Sequence, residues 1–144
     1  MQQCRISMRL ENTDWAVPLG AEVWIDDVCL FDTEHLDQPQ TIEHDLDDAE
    51  ADHELRIILK NKTPDHTQID DQGHIIKDAR LRVSDVKFDQ ILLDQILTRN
   101  SEYVHDLNGK TGTQIDRLYG EMGCNGTVFL RFRTPVYVWL LENM

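Results

Sequence analysis

The sequence predicts an all-β fold, an antiparallel jelly-roll-like β-sandwich with long loops, on three observations. Short apolar stretches alternate with a period of two, loops of unequal length separate them, and few segments carry the 3.6-residue period of a helix. With 144 residues, 40% of them hydrophobic and 28% charged, the chain has the size and composition of one domain with a real core. A single domain over 1–144 is therefore expected, with a loop-rich insertion around 93–126.

The first element is "QCRISMRLEN", in which Cys4, Ile6, Met8 and Leu10 alternate with Arg5, Ser7 and Arg9. That alternation predicts a strand, closed by the loop signal Glu-Asn-Thr-Asp. Next, "EVWIDDVCLFD" predicts a hairpin turning at Asp26 and Asp27, with Ile25 facing Val28, Val23 facing Leu30, and Trp24 and Cys29 on the other side. A second hairpin is expected from "TIEHDL" and "HELRIILK", joined by the acidic "DDAEAD". The stretch "ARLRVSDVKFDQI" alternates only if its phase slips near Ser84 and Asp85, the signature of a β-bulge.

The polar run 61–78, with Pro64 and Gly73, is too long for a tight turn and reads as a loop. Residues 91–97 fit a short helix or an irregular crossing segment equally well. Glycine and asparagine between 108 and 126 predict a long excursion with turns at Asn108-Gly109 and Asn125-Gly126. The chain then closes on "TVFLRFRTPVYVWLLENM". Val128, Leu130 and Phe132 alternate with Phe129, Arg131 and Arg133, Pro135 interrupts, and Val136, Val138 and Leu140 alternate with Tyr137, Trp139 and Leu141. This reads as a strand over 127–141, broken near Pro135 and apolar on both faces, so its aromatic face must be covered by the sandwich or by another subunit. Phe129, Arg131, Tyr137, Trp139 and Leu141 are the candidate interface residues, in the aromatic-plus-arginine composition typical of protein contacts.

Charge narrows the partners. A net charge of -13, from 27 acids against 14 Lys and Arg, repels phosphate backbones and anionic lipid surfaces, so neither nucleic acid nor membrane is expected. Cys4, Cys29 and Cys124 are odd in number and lack CxxC spacing, which predicts neither a disulfide framework nor a zinc site. The opening residues show no basic-then-apolar leader pattern. A reducing cytoplasm, or a particle assembled there, is the expected setting.

Candidate chemistry is sparse. Asp65, Asp70 and Asp71, with His66 in the same loop, are hard oxygen donors of the kind that hold calcium, but the EF-hand spacing is absent and the alternative is a solvated loop. No other cofactor is expected. His44 and His53 would approach each other on the second hairpin, without a third or fourth metal ligand in the pattern. Trp15, Trp24 and Trp139 are either sugar-stacking platforms or core and interface residues. No nucleophile motif occurs, and 27 acids make chance carboxylate pairs plentiful, so no enzyme is expected.

Taken in order, "EVWIDDVCLFD", "HELRIILKNK" and "RLRVSDVKFDQI" resemble the strand succession of jelly-roll carbohydrate-binding modules, especially the calcium-dependent xylan-binding kind. The resemblance covers roughly residues 20–92 and implies recognition of a host-surface polysaccharide, with calcium held in loops. "YVHDLNG" followed by "YGEMGCNGTVFLRFRTPVYVWLLENM" resembles the C-terminal half of a family of small proteins encoded by contractile-tailed phages of cyanobacteria. That resemblance implies a structural or accessory virion component, in capsid, neck, tail or fibre, made in the host cytoplasm. It also implies contact with other virion proteins or with further copies of itself, and no catalytic residues.

The acidic loop generates a measurable expectation. A ligand at a hundred times its dissociation constant adds about 2.7 kcal/mol to a fold. Without a matched ligand set, melting curves in excess calcium and in chelator should nearly coincide, whereas a rise of many degrees with calcium would establish a site there.

Overall fold

The computed structural model describes residues 2–63, 67–69, 71–107, 109 and 112–144. The strands are β1 (Gln3–Asn12), β2 (Gly20–Ile25), β3 (Val28–Thr33), β4 (Gln40–Asp47), β5 (Ala51–Lys60), β6 (Thr67–Ile69), β7 (Ile75–Asp78), β8 (Leu81–Phe88) and β9 (Ile91–Leu92). After the short helix α1 (Gln95–Asn100) come β10 (Ser101–His105), β11 (Gln114–Asp116), β12 (Glu121–Met122), β13 (Gly126–Thr134) and the helix α2 (Val136–Glu142). Among the described residues two antiparallel sheets form a sandwich. One has the order β12-β8-β1-β4 with β9 beside β8, the other the order β11-β10-β13-β5-β2-β3, and β6 and β7 form a separate two-stranded ladder.

Alternation in β1 does what the sequence predicts: Cys4, Ile6, Met8 and Leu10 are all buried. They meet Val23, Leu55, Ile57, Val128 and Leu130 in one hydrophobic cluster, because period-two side chains of both sheets point into the same gap. The bulge expected near Ser84 and Asp85 is present. Ser7 pairs with Lys87 and Arg9 with Ser84, so the register against β1 shifts between them, and Asp85 takes a positive φ of 52°. Val83 and Val86 are consequently both buried.

The first hairpin turns at Asp26 and Asp27, with Ile25 opposite Val28 and Trp24 opposite Cys29. A further bulge then places Val23 opposite Phe31 instead of Leu30. The second expected hairpin does not form. β4 pairs with β1 in one sheet, whereas β5 pairs with β2 and β13 in the other. The acidic link therefore crosses between layers and separates His44, opposite Ile6, from His53, opposite Phe132. Within 93–126, β10 lies between β11 and β13, and its approach to β13 requires Gly126. A Cβ at that position would run into the Val104 carbonyl and the His105 side chain.

The largest departure is at the C-terminus. β13 ends at Thr134, and residues 136–142 form α2 instead of continuing the strand. Pro135, with φ -62° and ψ 133°, stands at the N-cap, where a missing N–H costs nothing. Val136, Trp139 and Leu140 are buried, the i, i+3, i+4 face of a helix. Trp139 joins Phe88 and Phe132 in an aromatic cluster, its ring 5.7 Å from one centroid and 6.2 Å from the other, while Phe88 and Phe132 lie 4.8 Å apart. Asn143 ends the helix by donating its side-chain amide to the Trp139 carbonyl at 2.7 Å.

Opposite faces of α2 should respond differently to truncation. Trp139→Ala opens the aromatic cluster and should cost about 3–5 kcal/mol, whereas Leu141→Ala, at a side chain 74% exposed, should stay within about 0.5 kcal/mol. Urea unfolding of the two variants checks this, and similar midpoints would refute the helix.

Candidate functional site at the C-terminal helix

The β2–β3 turn, the start of β5 and the end of β13 meet beside α2. Asp26 has a positive φ of 52°, a conformation the first position of a tight hairpin requires and aspartate tolerates with strain. β5 holds it there. The Asp26 N–H donates to the Glu54 carbonyl at 2.9 Å, Glu54 N–H donates to Asp26 Oδ1 at 3.0 Å, and Arg56 donates to the Asp26 carbonyl at 3.0 Å. The Arg56 guanidinium also lies over the Trp24 ring, 5.3 Å from its centroid, so Trp24 is partly covered within the chain.

His53 links this turn to the root of α2. Its Nδ1 lies 2.8 Å from Asp26 Oδ2 and its Nε2 lies 3.1 Å from Thr134 Oγ1, while its ring stacks on Phe132 with centroids 5.3 Å apart. The Thr134 hydroxyl donates to the Ala49 carbonyl, which leaves only lone pairs facing His53. Asp26, as a carboxylate, is acceptor-only. Both bonds are therefore made together only when both ring nitrogens carry protons. Burial acts to raise the Asp26 carboxyl, but the His53 hydrogen bond, the Glu54 N–H and the His53 charge outweigh it and hold it below its ordinary value of 3.8.

An Asp-His-Thr chain invites a catalytic reading, and its geometry argues for a clasp. Thr134 is 2% exposed, and its proton is committed to a backbone carbonyl, so it does not present the free hydroxyl that a nucleophile needs. Two hollows flank the clasp. One, of about 570 Å³, includes Asp26, His53, Arg131, Phe132 and Trp139; the other, of about 290 Å³, includes Glu50, Arg133, Thr134, Val138 and Trp139. Their cations are engaged: Arg131 reaches Glu54 at 3.3 Å and Glu102 at 3.2 Å, and Arg133 reaches Asp52 at 3.0 Å.

The expected interface residues separate into two groups. Trp139 belongs to the chain's own core. Phe129 is half-buried on the outer face of β13, beneath the Arg131 guanidinium at 5.8 Å. Tyr137 and Leu141 are exposed on α2 and join Val138 in an apolar stripe on a segment whose pattern predicts a strand. A hydrogen bond to Asp89 pushes the Tyr137 phenol above its ordinary range. Of the calcium candidates, Asp65 and Asp70, like His66, lie outside the described residues; Asp71 is an exposed turn residue. Among the described residues no group of three or more His, Cys, Asp or Glu is arranged to hold a metal. Burial, followed by the Asp48 and Asp89 charges, pushes the Cys4 thiol up to about 12, so it stays protonated and packs as a small apolar side chain.

No protein-family model and no curated protein matches the chain. Among solved structures it is similar to a chain described as "vCBM60 in complex with galactobiose", a carbohydrate-binding module, with a TM-score of 0.46 and 11% identity. The alignment covers 88% of this chain and 96% of that one.

The clasp has a defined pH response. A carboxyl whose folded pKa is depressed stabilises the fold fully above its ordinary pKa and loses that contribution as pH falls through the folded value, so the Asp26 contribution should fade below about pH 4. Urea midpoints should therefore fall on acidification through that range. Asp26→Asn should flatten this acid limb; an identical profile for variant and parent would refute the clasp.

Proposed function

We propose that this protein is a non-enzymatic structural or accessory component of a tailed-phage virion, made in the host cytoplasm and working by protein–protein contact through the outer face of α2. The observation that carries the reading is the stripe Tyr137, Val138 and Leu141, which are 51%, 52% and 74% exposed. Spacings of one and four put Tyr137, Val138 and Leu141 on one side of a helix whose other side is locked in the core. Contiguous exposed apolar surface of this kind marks contact sites. The C-terminal resemblance to small cyanophage proteins supports the same segment.

Charge selects the partner. Glu50 and Glu142 border Val138, Asp89 bonds Tyr137, and the whole chain carries -13. A second copy laid on the stripe would bring carboxylates against carboxylates. Another virion protein, with an apolar patch rimmed by Lys and Arg, satisfies both the stripe and its border.

A second reading, contact with a polysaccharide, rests on a different region, the cleft beside the exposed Tyr119.

The assembly reading is tested with Leu141→Asp combined with Val138→Asp. Both side chains are exposed, so the variant should melt within a few degrees of the parent, yet be absent from purified particles when their protein inventory is quantified by mass spectrometry. Incorporation at the parental copy number would sink the α2 contact, and absence of the parent protein from particles would sink the virion assignment.

A further inference from the structure

A second concave surface lies on the opposite side of β13 from the clasp, where the sheet edge formed by β10 and β11 faces β12 of the other sheet. The cleft has a volume of about 690 Å³ and includes Ser101, Tyr103, Asp116, Arg117, Tyr119 and Glu121. The connector from β11 to β12 builds one wall. Leu118 is buried at 1%, the Gly120 carbonyl accepts the Val83 N–H at 2.8 Å, and Gly120 turns the chain with φ 90°. Between these anchors Tyr119 points outward, 78% exposed, and Arg117, just before them, is exposed as well. The aromatic side chain is thus held by a short, pinned segment, which lowers the ordering cost of binding.

The polar groups around it are arranged as acceptors and donors held in place. Asp116 Oδ2 accepts from His105 Nε2 at 2.6 Å, and Glu121 accepts from Arg82 at 3.1 Å and Arg80 at 3.3 Å. Each carboxylate keeps spare lone pairs. Arg117 makes no hydrogen bond or ion pair with the described residues, which leaves its donors free. Ser101, 4% exposed, forms part of the cleft floor.

We infer that this cleft is a calcium-independent site for a neutral saccharide, which stacks on Tyr119 and exchanges hydroxyl hydrogen bonds with Arg117, Asp116 and Glu121. The chemistry excludes the other ligand classes. Arg99 and Arg117 face Glu102, Asp116 and Glu121, a balance that repels polyanions and offers phosphate no cationic cradle. An apolar ligand would leave these charges unsolvated. An extended peptide would need a sheet edge to add to, and β11 is three residues long. A sugar ring matches the mixture, since its C–H face lies on an aromatic and its hydroxyls both donate and accept.

The inference rests on the polysaccharide reading and is independent of the α2 contact. The test titrates the full chain with neutral hexasaccharides of glucose, galactose and xylose, and with a sulfated oligosaccharide of the same length, in chelator, by calorimetry and by amide and arginine-side-chain NMR. One neutral probe should bind and shift Arg117 and Tyr119 signals, and Tyr119→Ala and Arg117→Ala, both at exposed positions, should each weaken it at least tenfold with melting unchanged. Binding that survives both substitutions keeps the polysaccharide reading and overturns this site. Stronger binding of the sulfated probe, or a strict need for calcium, overturns the ligand class. No binding of any probe at millimolar concentration overturns both.

Discussion

The register of β5 against β13 is the constraint on which the rest of the molecule depends. Pairing runs from Gly126 opposite Leu59 to Thr134 opposite Ala51. On the inner face it sets Val128 against Ile57 and Leu130 against Leu55; on the outer face it sets Arg131 against Glu54 and Arg133 against Asp52. A slip by one residue would turn every apolar side chain outward and bury the arginines. Apolar matching inside and charge matching outside therefore specify the same alignment. The ends of that alignment are also fixed by it: at one end Gly126 admits β10 without a clash, and at the other Thr134 arrives beside His53.

Such a register also lets a chain of net charge -13 stay compact. Lys60 draws Glu22, Asp32 and Glu34 to within 3.2 Å, and these hydrogen bonds, led by Asp32, push its ammonium further up. Three acids from β2, β3 and the turn beyond are thereby gathered around one cation at the sheet edge, which offsets part of their mutual repulsion. Lys62 does the reverse. Its side chain is 1% exposed and meets Asp78 at 2.5 Å, with the Gly123 carbonyl as a further acceptor and Asn125 exchanging hydrogen bonds with its backbone. A buried pair adds little net stability over apolar packing, but each partner is costly without the other. It therefore fixes which loops meet, tying the end of β7 to the approach of β13.

Local alternation proved legible where one face of a strand is buried, as in β1, and a broken alternation located the bulge in β8. What alternation lacks is any record of which sheet a strand joins. "TIEHDL" and "HELRIILK" satisfy a hairpin and a crossover equally, because a short acidic link can serve either. The mistake carried to the site: His53 matters through Asp26 and Thr134, partners 27 and 81 residues away in sequence, and no spacing rule reaches that far. In "VYVWLL" every residue is apolar, so strand and helix periods both fit. Pro135 is a helix-start signal at this boundary, but a proline also interrupts strands at edges and bulges, so it does not separate the two. Tyr119 and Arg117 were passed over because they lie in a glycine-rich stretch with no period at all.

α2 shows how much of this local structure is borrowed from its surroundings. Seven residues are too few for a helix to persist alone, and its N-cap residue, Pro135, supplies no side-chain cap. Its order comes from three external ties: the face of Val136, Trp139 and Leu140 on the aromatic cluster, Asp48 accepting the Val136 N–H at 3.0 Å, and Arg99 donating to the Asn143 carbonyl at 2.7 Å. The clasp adds a fourth, since His53 grips Thr134 two residues before the helix begins. The outer stripe is thus presented by a segment already immobilised at both ends and along its inner face. A partner docking there gains the burial of Tyr137, Val138 and Leu141 without having to order the helix that carries them, so the most apolar stretch of the sequence serves the core with one face and leaves the other ready for contact.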